Sequence, residues 1–337
     1  MSTLIFGAGA IGQWLGALLH SSGSDVHLHC RPSVAKALAA QGGIILNGGS
    51  PIDVPSSSTQ KAIKKKKFTT VISTVKTYAV ESALADIKKL GLGFEQLVSF
   101  QNGWGTEGLY EEAFPDTDLW TITTTRSVGI ERAGYLTPSN KGGLAVAPWT
   151  QSPSTGMPEC LRRISIPLVE LERGIDLKWS KLILNLIGNA TGAITGLSPE
   201  KLADHPQLMK TELALVRECM AVGRALGVKR SDLPGFSVKI LSGALEKLPM
   251  RIVEPLISSR MRRARGSKLP SLFFDLEDPS RPTEIDNLNG AVASEGERIG
   301  VPTPKHTALT QLFHQCRMDP LLWQKIRETP ALMLDFV

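Results

Sequence analysis

Residues 4–19, LIFGAGAIGQWLGALL, constrain the fold more than any other stretch of this chain. An apolar run suited to a strand meets glycines at 7, 9 and 12, and an apolar helical pattern follows at once. Gly7 permits a tight turn, Gly9 lets backbone approach a pyrophosphate, and Gly12 allows a helix to pack closely on a strand. Ala8, Ala10 and Ile11 complete the loop GAGAIG. A glycine pattern of this kind is weak alone, but one that ends a strand and opens a helix predicts a dinucleotide site.

The same alternation continues downstream. TLIF, DVHLHC, TVIST and QLVSF read as strands, with helices expected over Ala10 to about His20 and over Ala79 to Leu90. Strands separated by helices imply a parallel sheet. WTITTTRSVGI continues the strand series, while GGIILNGG and GGLAVAPW read as ribbon or hairpin additions at the sheet edge. After residue 178 strands largely vanish, and helical patterns follow, including Pro206 to Leu226 and Glu284 to Ile299. A length of 337 residues favours two domains. The expected fold is therefore α/β: a Rossmann-type doubly wound sheet over residues 1–178, then an all-helical domain over 179–337. Gly174 marks the approach to the boundary, and a cleft between domains is a usual place for a small-molecule site.

The end of the second strand separates NAD from NADP, because an acid there accepts the ribose hydroxyls whereas arginine accommodates a 2′-phosphate. Here DVHLHC is followed by Arg31, and Asp25 comes too early in the strand. Arg31, with Lys76 after the TVIST strand as a second cation, favours NADPH; the alternative is two exposed cations at loop ends.

Composition excludes several classes. With 42% hydrophobic and 21% charged residues the chain is globular, and its net charge of +6 suits anionic small molecules without requiring nucleic acid. The basic runs Lys64–Lys67 and Arg260–Lys268 read as solvated connections, and stacking aromatics for single strands are missing. Cys30, Cys160, Cys219 and Cys316 are scattered without a paired motif, so reduced thiols and no metal site are expected. His27 and His29 share a strand face but lack a third ligand. No apolar run reaches the ~18 residues of a membrane span. A cytoplasmic protein, monomer or homodimer, without membrane or nucleic-acid partners, is the expectation.

In the second half, WSKLILNLIGNATGAITG reads as one helix with Lys181, Asn185 and Asn189 at steps of four, hence on one face. Apolar residues cover the other sides. Asparagine is a poor helix former, so two on one stripe suggest directed hydrogen bonds. Spacing alone leaves open whether the stripe faces solvent or a site.

The glycine loop, Lys76 in TVKTY, FQNG at 100–103, the Lys-Asn-Asn stripe, PTEIDNLNG from Pro282 and GVPTP from Gly300 together resemble the ketopantoate reductase family over nearly the whole chain. The resemblance implies an NADPH-dependent reductase of a 2-oxo acid, 2-dehydropantoate giving (R)-pantoate for coenzyme A synthesis. It implies that Lys181 is the general acid, that Asn185 and Asn189 position substrate, that Glu284 binds its hydroxyl and Ser271 its carboxylate, and that Asn102 meets the nicotinamide. Two departures stand out. Where many members have Ser-Met-x-Gln-Asp this chain has Ser271-Leu272-Phe273-Phe274-Asp275, with a spacer to Glu284 one residue longer. Pro199 replaces an asparagine that some members place ten residues after the second Asn.

The chemistry matches those residue types. Hydride addition to a ketone leaves an alkoxide, which needs a proton and a positive charge. A lysine, with an ordinary pKa of about 10.4, supplies both at neutral pH. Phe273 and Phe274 suggest the alternative of a paralogue acting on another 2-oxo acid or larger ketone. A non-catalytic NADP(H)-binding redox sensor is the alternative outside enzymes, though a sensor needs neither Lys181 nor Glu284.

Overall fold

The computed structural model describes residues 2–64, 66–264 and 269–337. By contacts these form two compact units. The first holds Met1–Gln101, Thr106–Lys178 and Asp232–Phe236, and the second Asn102–Gly105, Trp179–Ser231 and Ser237–Val337. Each half thus keeps a short stretch that sequence order would assign to the other.

In the first unit the strands are β1 (Ser2–Phe6), β2 (Asp25–His29), β3 (Ile45–Leu46), β4 (Ser56–Ser57), β5 (Thr70–Ser73), β6 (Gln96–Ser99), β7 (Asp118–Thr124), β8 (Val128–Arg132), β9 (Tyr135–Pro138), β10 (Leu144–Pro148) and β11 (Leu168–Glu170). Among the described residues one sheet has the order β11-β10-β7-β6-β5-β1-β2-β4. The run β4-β2-β1-β5-β6-β7 is parallel throughout. That is the doubly wound nucleotide-binding order, in which the chain leaves β1 in one direction for β2 and returns to its other side with β5. Helices α1 (Ala10–Ser21), α2 (Pro32–Gln41), α3 (Gln60–Lys64), α4 (Val80–Leu90), α5 (Glu107–Ala113) and α6 (Glu159–Arg162) connect the strands.

The alternation along β1 shows why both faces are covered. Ile5 packs in one apolar cluster with Trp14, Leu15, Leu28 and Val98. Leu4 and Phe6 point the other way, into a cluster with Leu84, Ile87 and Tyr110. Side chains alternate across a strand, so a strand covered on both faces reads as continuous apolar sequence.

The expected edge additions need correction. GGLAVAPW supplies β10, which lies inside the large sheet between β7 and β11 and runs antiparallel to β7. WTITTTRSVGI is divided: β7 belongs to the large sheet, whereas β8 pairs with β9 in a separate sheet of order β3-β9-β8. Gly142 at φ +91 and the Thr125 hydroxyl, which accepts from Gly143 N at 3.0 Å, shape the turns where the chain changes direction.

Helix α7 (Gly174–Leu186) begins in the first unit and continues into the second. There follow α8 (Ala190–Thr195), α9 (Pro199–Leu202), α10 (Pro206–Ala225), α11 (Val238–Lys247), α12 (Met250–Ala264), α13 (Ser271–Glu277), α14 (Asn289–Ile299), α15 (Pro304–Met318) and α16 (Pro320–Glu328). Two helices expected to be continuous are broken. The Lys181-Asn185-Asn189 stripe does not lie on one helix: Gly188 turns at φ +65, and its N–H is accepted by the buried carboxylate of Glu212 at 2.5 Å. The Glu284–Ile299 segment divides into a 3₁₀ turn, Ile285–Asn287, and α14, parted at Leu288 with φ −108 and ψ −95. The Thr283 hydroxyl, one residue before the N-cap Glu284, accepts from Ile285 N at 3.2 Å.

The basic run expected as a connection is helical through Ala264, and Arg262 donates to Asp204 Oδ1 at 2.9 Å. Arg265 to Lys268 and Lys65 lie outside the described residues, while Lys64, Lys66 and Lys67 are exposed. All four cysteines are free and buried. Among the described residues no helix is long and apolar enough to cross a membrane, and no three His, Cys, Asp or Glu side chains are grouped to hold a metal.

Candidate active site

The nucleotide end is built by the glycine loop between β1 and α1. Gly7 sits at φ +106, where a side chain is strained, and a Cβ there would press on Val75 Cγ1 at 2.9 Å. At Gly12 a Cβ would collide with the Gly7 carbonyl oxygen. Gly9 differs, being exposed at an ordinary φ of −75, with nothing within 4 Å of the Cβ it lacks. Packing therefore demands glycine at 7 and 12 but not at 9. Gly9 is also the N-cap of α1 and offers no side chain to the first-turn amides. An open, side-chain-free helix N-terminus fits a pyrophosphate, so these residues suit a dinucleotide.

Two residues that sequence reasoning missed stiffen this loop. The buried Gln13 donates from Nε2 to Ala8 O at 2.8 Å and accepts from Gly134 N on Oε1 at 2.7 Å. Thr74 donates to Gly7 O at 2.5 Å. Only a polar residue inside an otherwise apolar helix hinted at Gln13.

Arg31 and Lys76 are both exposed, Arg31 as the N-cap of α2 just beyond β2 and Lys76 as the N-cap of the 3₁₀ turn Thr77–Ala79 beyond β5. Both follow the carboxyl ends of parallel strands, where ligands bind in open α/β sheets. His27 and His29 serve packing. His27 bonds Ser57 Oγ at 2.7 Å, and burial, with help from Lys66, lowers its pKa to about 4. The His29 ring lies 4.7 Å from that of Phe6.

Within the second unit the residues expected to meet substrate fall on several elements. Lys181 and Asn185 are one turn apart on α7 and half-buried. Asn185 Nδ2 donates to Asn102 Oδ1 at 3.3 Å, so the loop 102–105 and the stripe meet. Asn189, past the Gly188 break, is the N-cap of α8; its Oδ1 is buried and meets no hydrogen-bond partner. Glu284 is buried and precedes the 3₁₀ turn. Ser271 is the exposed first residue of α13. On that helix Phe273 is core, its ring 5.4 Å from that of Trp323, and only Phe274 is exposed, at 44%. The apolar surface expected from both phenylalanines reduces to one.

The Asn102 loop is itself held. Gly103 takes φ +83, and a Cβ there would collide with Asn287 O. Trp104 N donates to Asn287 O at 2.8 Å, and the indole Nε1 donates to Glu295 Oε1 at 3.0 Å. The indole also meets Trp179 edge to face at 5.0 Å.

Two family models match the chain: "Ketopantoate reductase PanE/ApbA" over residues 3–151 and "Ketopantoate reductase PanE/ApbA C terminal" over residues 175–317. The 2-dehydropantoate 2-reductase of Streptococcus pyogenes serotype M6 is 25% identical over 324 residues, covering 93% of this chain and 97% of that one. The Lactococcus lactis enzyme of the same name is 26% identical over 320 residues, covering 93% and 97%. Among solved structures, a PanE/ApbA family ketopantoate reductase from Ralstonia eutropha aligns with a TM-score of 0.76 at 24% identity, covering 94% of this chain and 99% of that one. A ternary complex of D-mandelate dehydrogenase with NADH and anilino(oxo)acetate aligns with a TM-score of 0.76 at 22% identity, covering 94% and 98%.

Proposed function

Because this chain is an oxidoreductase that belongs to the ketopantoate reductase family of NADPH-dependent enzymes, we propose that it reduces 2-dehydropantoate to (R)-pantoate with Lys181 as general acid. The observation that carries this reading is the hydrogen bond from Asn185 to Asn102. It ties the stripe expected to hold substrate to the loop expected at the nicotinamide.

NADPH, when bound, supplies the hydride. The glycine loop, Arg31 and Lys76 would hold it: Gly7 to Gly12 through backbone at the pyrophosphate, the two cations at the 2′-phosphate. As the ketone oxygen gains negative charge, the Lys181 ammonium stabilises it and transfers a proton to it. Glu284 accepts from the substrate hydroxyl. Asn185 is oriented by Asn102, and Asn189 presents a buried acceptor whose unmet hydrogen bond, a cost of about 1–3 kcal/mol, a substrate donor would restore. Ser271, at the start of α13, takes the carboxylate.

A second reading, a reductase of a bulkier 2-oxo acid, is favoured by Phe274, exposed on the helix that carries Ser271. A panel of 2-oxo acids assayed by NADPH and NADH oxidation separates the two. The proposal expects the highest kcat/KM with ketopantoate and NADPH. A larger oxo acid preferred by about tenfold, near the range one or two methylenes can supply, selects the second reading. Binding of NADPH with no turnover of any ketone marks a non-catalytic protein.

A further inference from the structure

Asn287 is not among the residues to which the family resemblance assigns a role, yet it joins two segments that carry such residues. Its backbone carbonyl accepts from Trp104 N at 2.8 Å, and its side-chain Nδ2 donates to Trp104 O at 3.1 Å. The two bonds are reciprocal, so Asn287 satisfies both backbone groups of Trp104. The loop that presents Asn102 comes close enough for this only because residue 103 is glycine, since a Cβ would collide with Asn287 O. On its own side Asn287 N donates to Glu284 O at 3.1 Å, closing the turn that begins with Glu284. That turn is fixed in place by Thr283, whose hydroxyl donates to Asp275 Oδ2 at 3.1 Å. Asn102 in turn holds Asn185. Glu284, Asn287, Trp104, Asn102 and Asn185 thus form one connected chain of hydrogen bonds and short backbone steps within the second unit.

We propose that Asn287 is a positioning residue that sets Asn102 and Glu284 in a fixed mutual geometry for the reduction, an inference that rests on the function proposed above. The physical reason is that both of its bonds are to backbone. A side chain can adjust its rotamer to a misplaced neighbour, but two bonds to one peptide segment fix its height and rotation together. Loss of the Nδ2 donor removes one of the two backbone bonds that Asn287 makes to Trp104 and loosens the loop's hold on the Glu284 turn.

The test compares Asn287→Asp, which turns an acceptor toward Trp104 O at nearly unchanged volume, with the smaller Asn287→Ser, on the full chain. Three readouts are taken: kcat and KM for ketopantoate, the thermal midpoint, and hydrogen exchange over residues 100–106 and 283–289. Asn287→Asp is expected to lower kcat ~10-fold or more, as small misplacements of reacting groups do. KM should change less than ~3-fold, and exchange should quicken in both segments together. Asn287→Ser should show the same exchange signature with a milder loss of kcat. A kcat within ~2-fold of wild type in the folded variants, or exchange that quickens in only one segment, overturns the proposal. If only the thermal midpoint falls, Asn287 is structural and the proposal also fails. Should the wild type reduce no 2-oxo acid while both segments loosen together in the variants, the proposed reaction is wrong and the coupling stands.

Discussion

Lys178 and Glu107 form an ion pair at 2.8 Å with both side chains 1% exposed. The ammonium also donates to Gln101 O at 2.7 Å, one residue before Asn102, and the carboxylate accepts from Ser99 Oγ at 3.0 Å and Thr106 Oγ1 at 3.3 Å. Because both charges are buried, removing one partner leaves the other without its counter-charge in the interior. Lys178→Met or Glu107→Gln alone should cost about 3–5 kcal/mol in denaturant unfolding. The double variant should cost clearly less than the sum of the two. Additive losses would mean the pair is not coupled.

His306 is buried, and its Nε2 donates to Leu215 O at 2.9 Å, which leaves Nδ1 to accept from Asn289 at 3.3 Å. Burial lowers its pKa to about 4, below an unfolded value near 6.5. Between those values the unfolded chain binds the extra proton, so the stability this residue contributes is full above pH 6.5 and is lost as pH falls toward 4. The loss from this group should reach about 2 kcal/mol at pH 5. Urea unfolding of wild type and His306→Gln at pH 7 and pH 5 checks it: the variant's stability should fall less between the two.

The glycines of the nucleotide loop should separate by function. Gly12→Ala places a methyl against Gly7 O and Thr74 Oγ1, and overpacking of this kind costs about 1–3 kcal/mol of stability. The Cβ that Gly9→Val adds has no neighbour within 4 Å. It should cost less stability than Gly12→Ala while weakening NADPH binding ~10-fold or more by titration, since on the proposed reading the branched side chain would stand where the pyrophosphate approaches.

Much of this was legible locally. The glycine loop, β1 and α1 are specified by residues within one short stretch, and the strand alternation carried the sheet. The breaks were not legible, because distant groups make them. Nothing near Gly188 announces that Glu212 accepts its N–H, and without that bond Lys181, Asn185 and Asn189 read as one continuous stripe. Phe273 looked available because its packing against Trp323 depends on a helix fifty residues away.

On the proposed reading, Arg31 at the end of β2 selects the cofactor through the 2′-phosphate. Arg31→Ala should raise the KM for NADPH ~10-fold or more and leave that for NADH within ~2-fold, because only the 2′-phosphate loses a partner. Steady-state assays with each nucleotide at saturating ketopantoate measure both. Equal loss with the two nucleotides would place Arg31 away from the 2′-position.

The central claim is that Lys181 protonates the product oxygen, and single-turnover oxidation of bound NADPH by ketopantoate in Lys181→Ala tests it most directly. The account predicts a rate at least ~10²-fold below wild type with NADPH affinity unchanged. A variant that keeps more than about a tenth of the wild-type rate would contradict it.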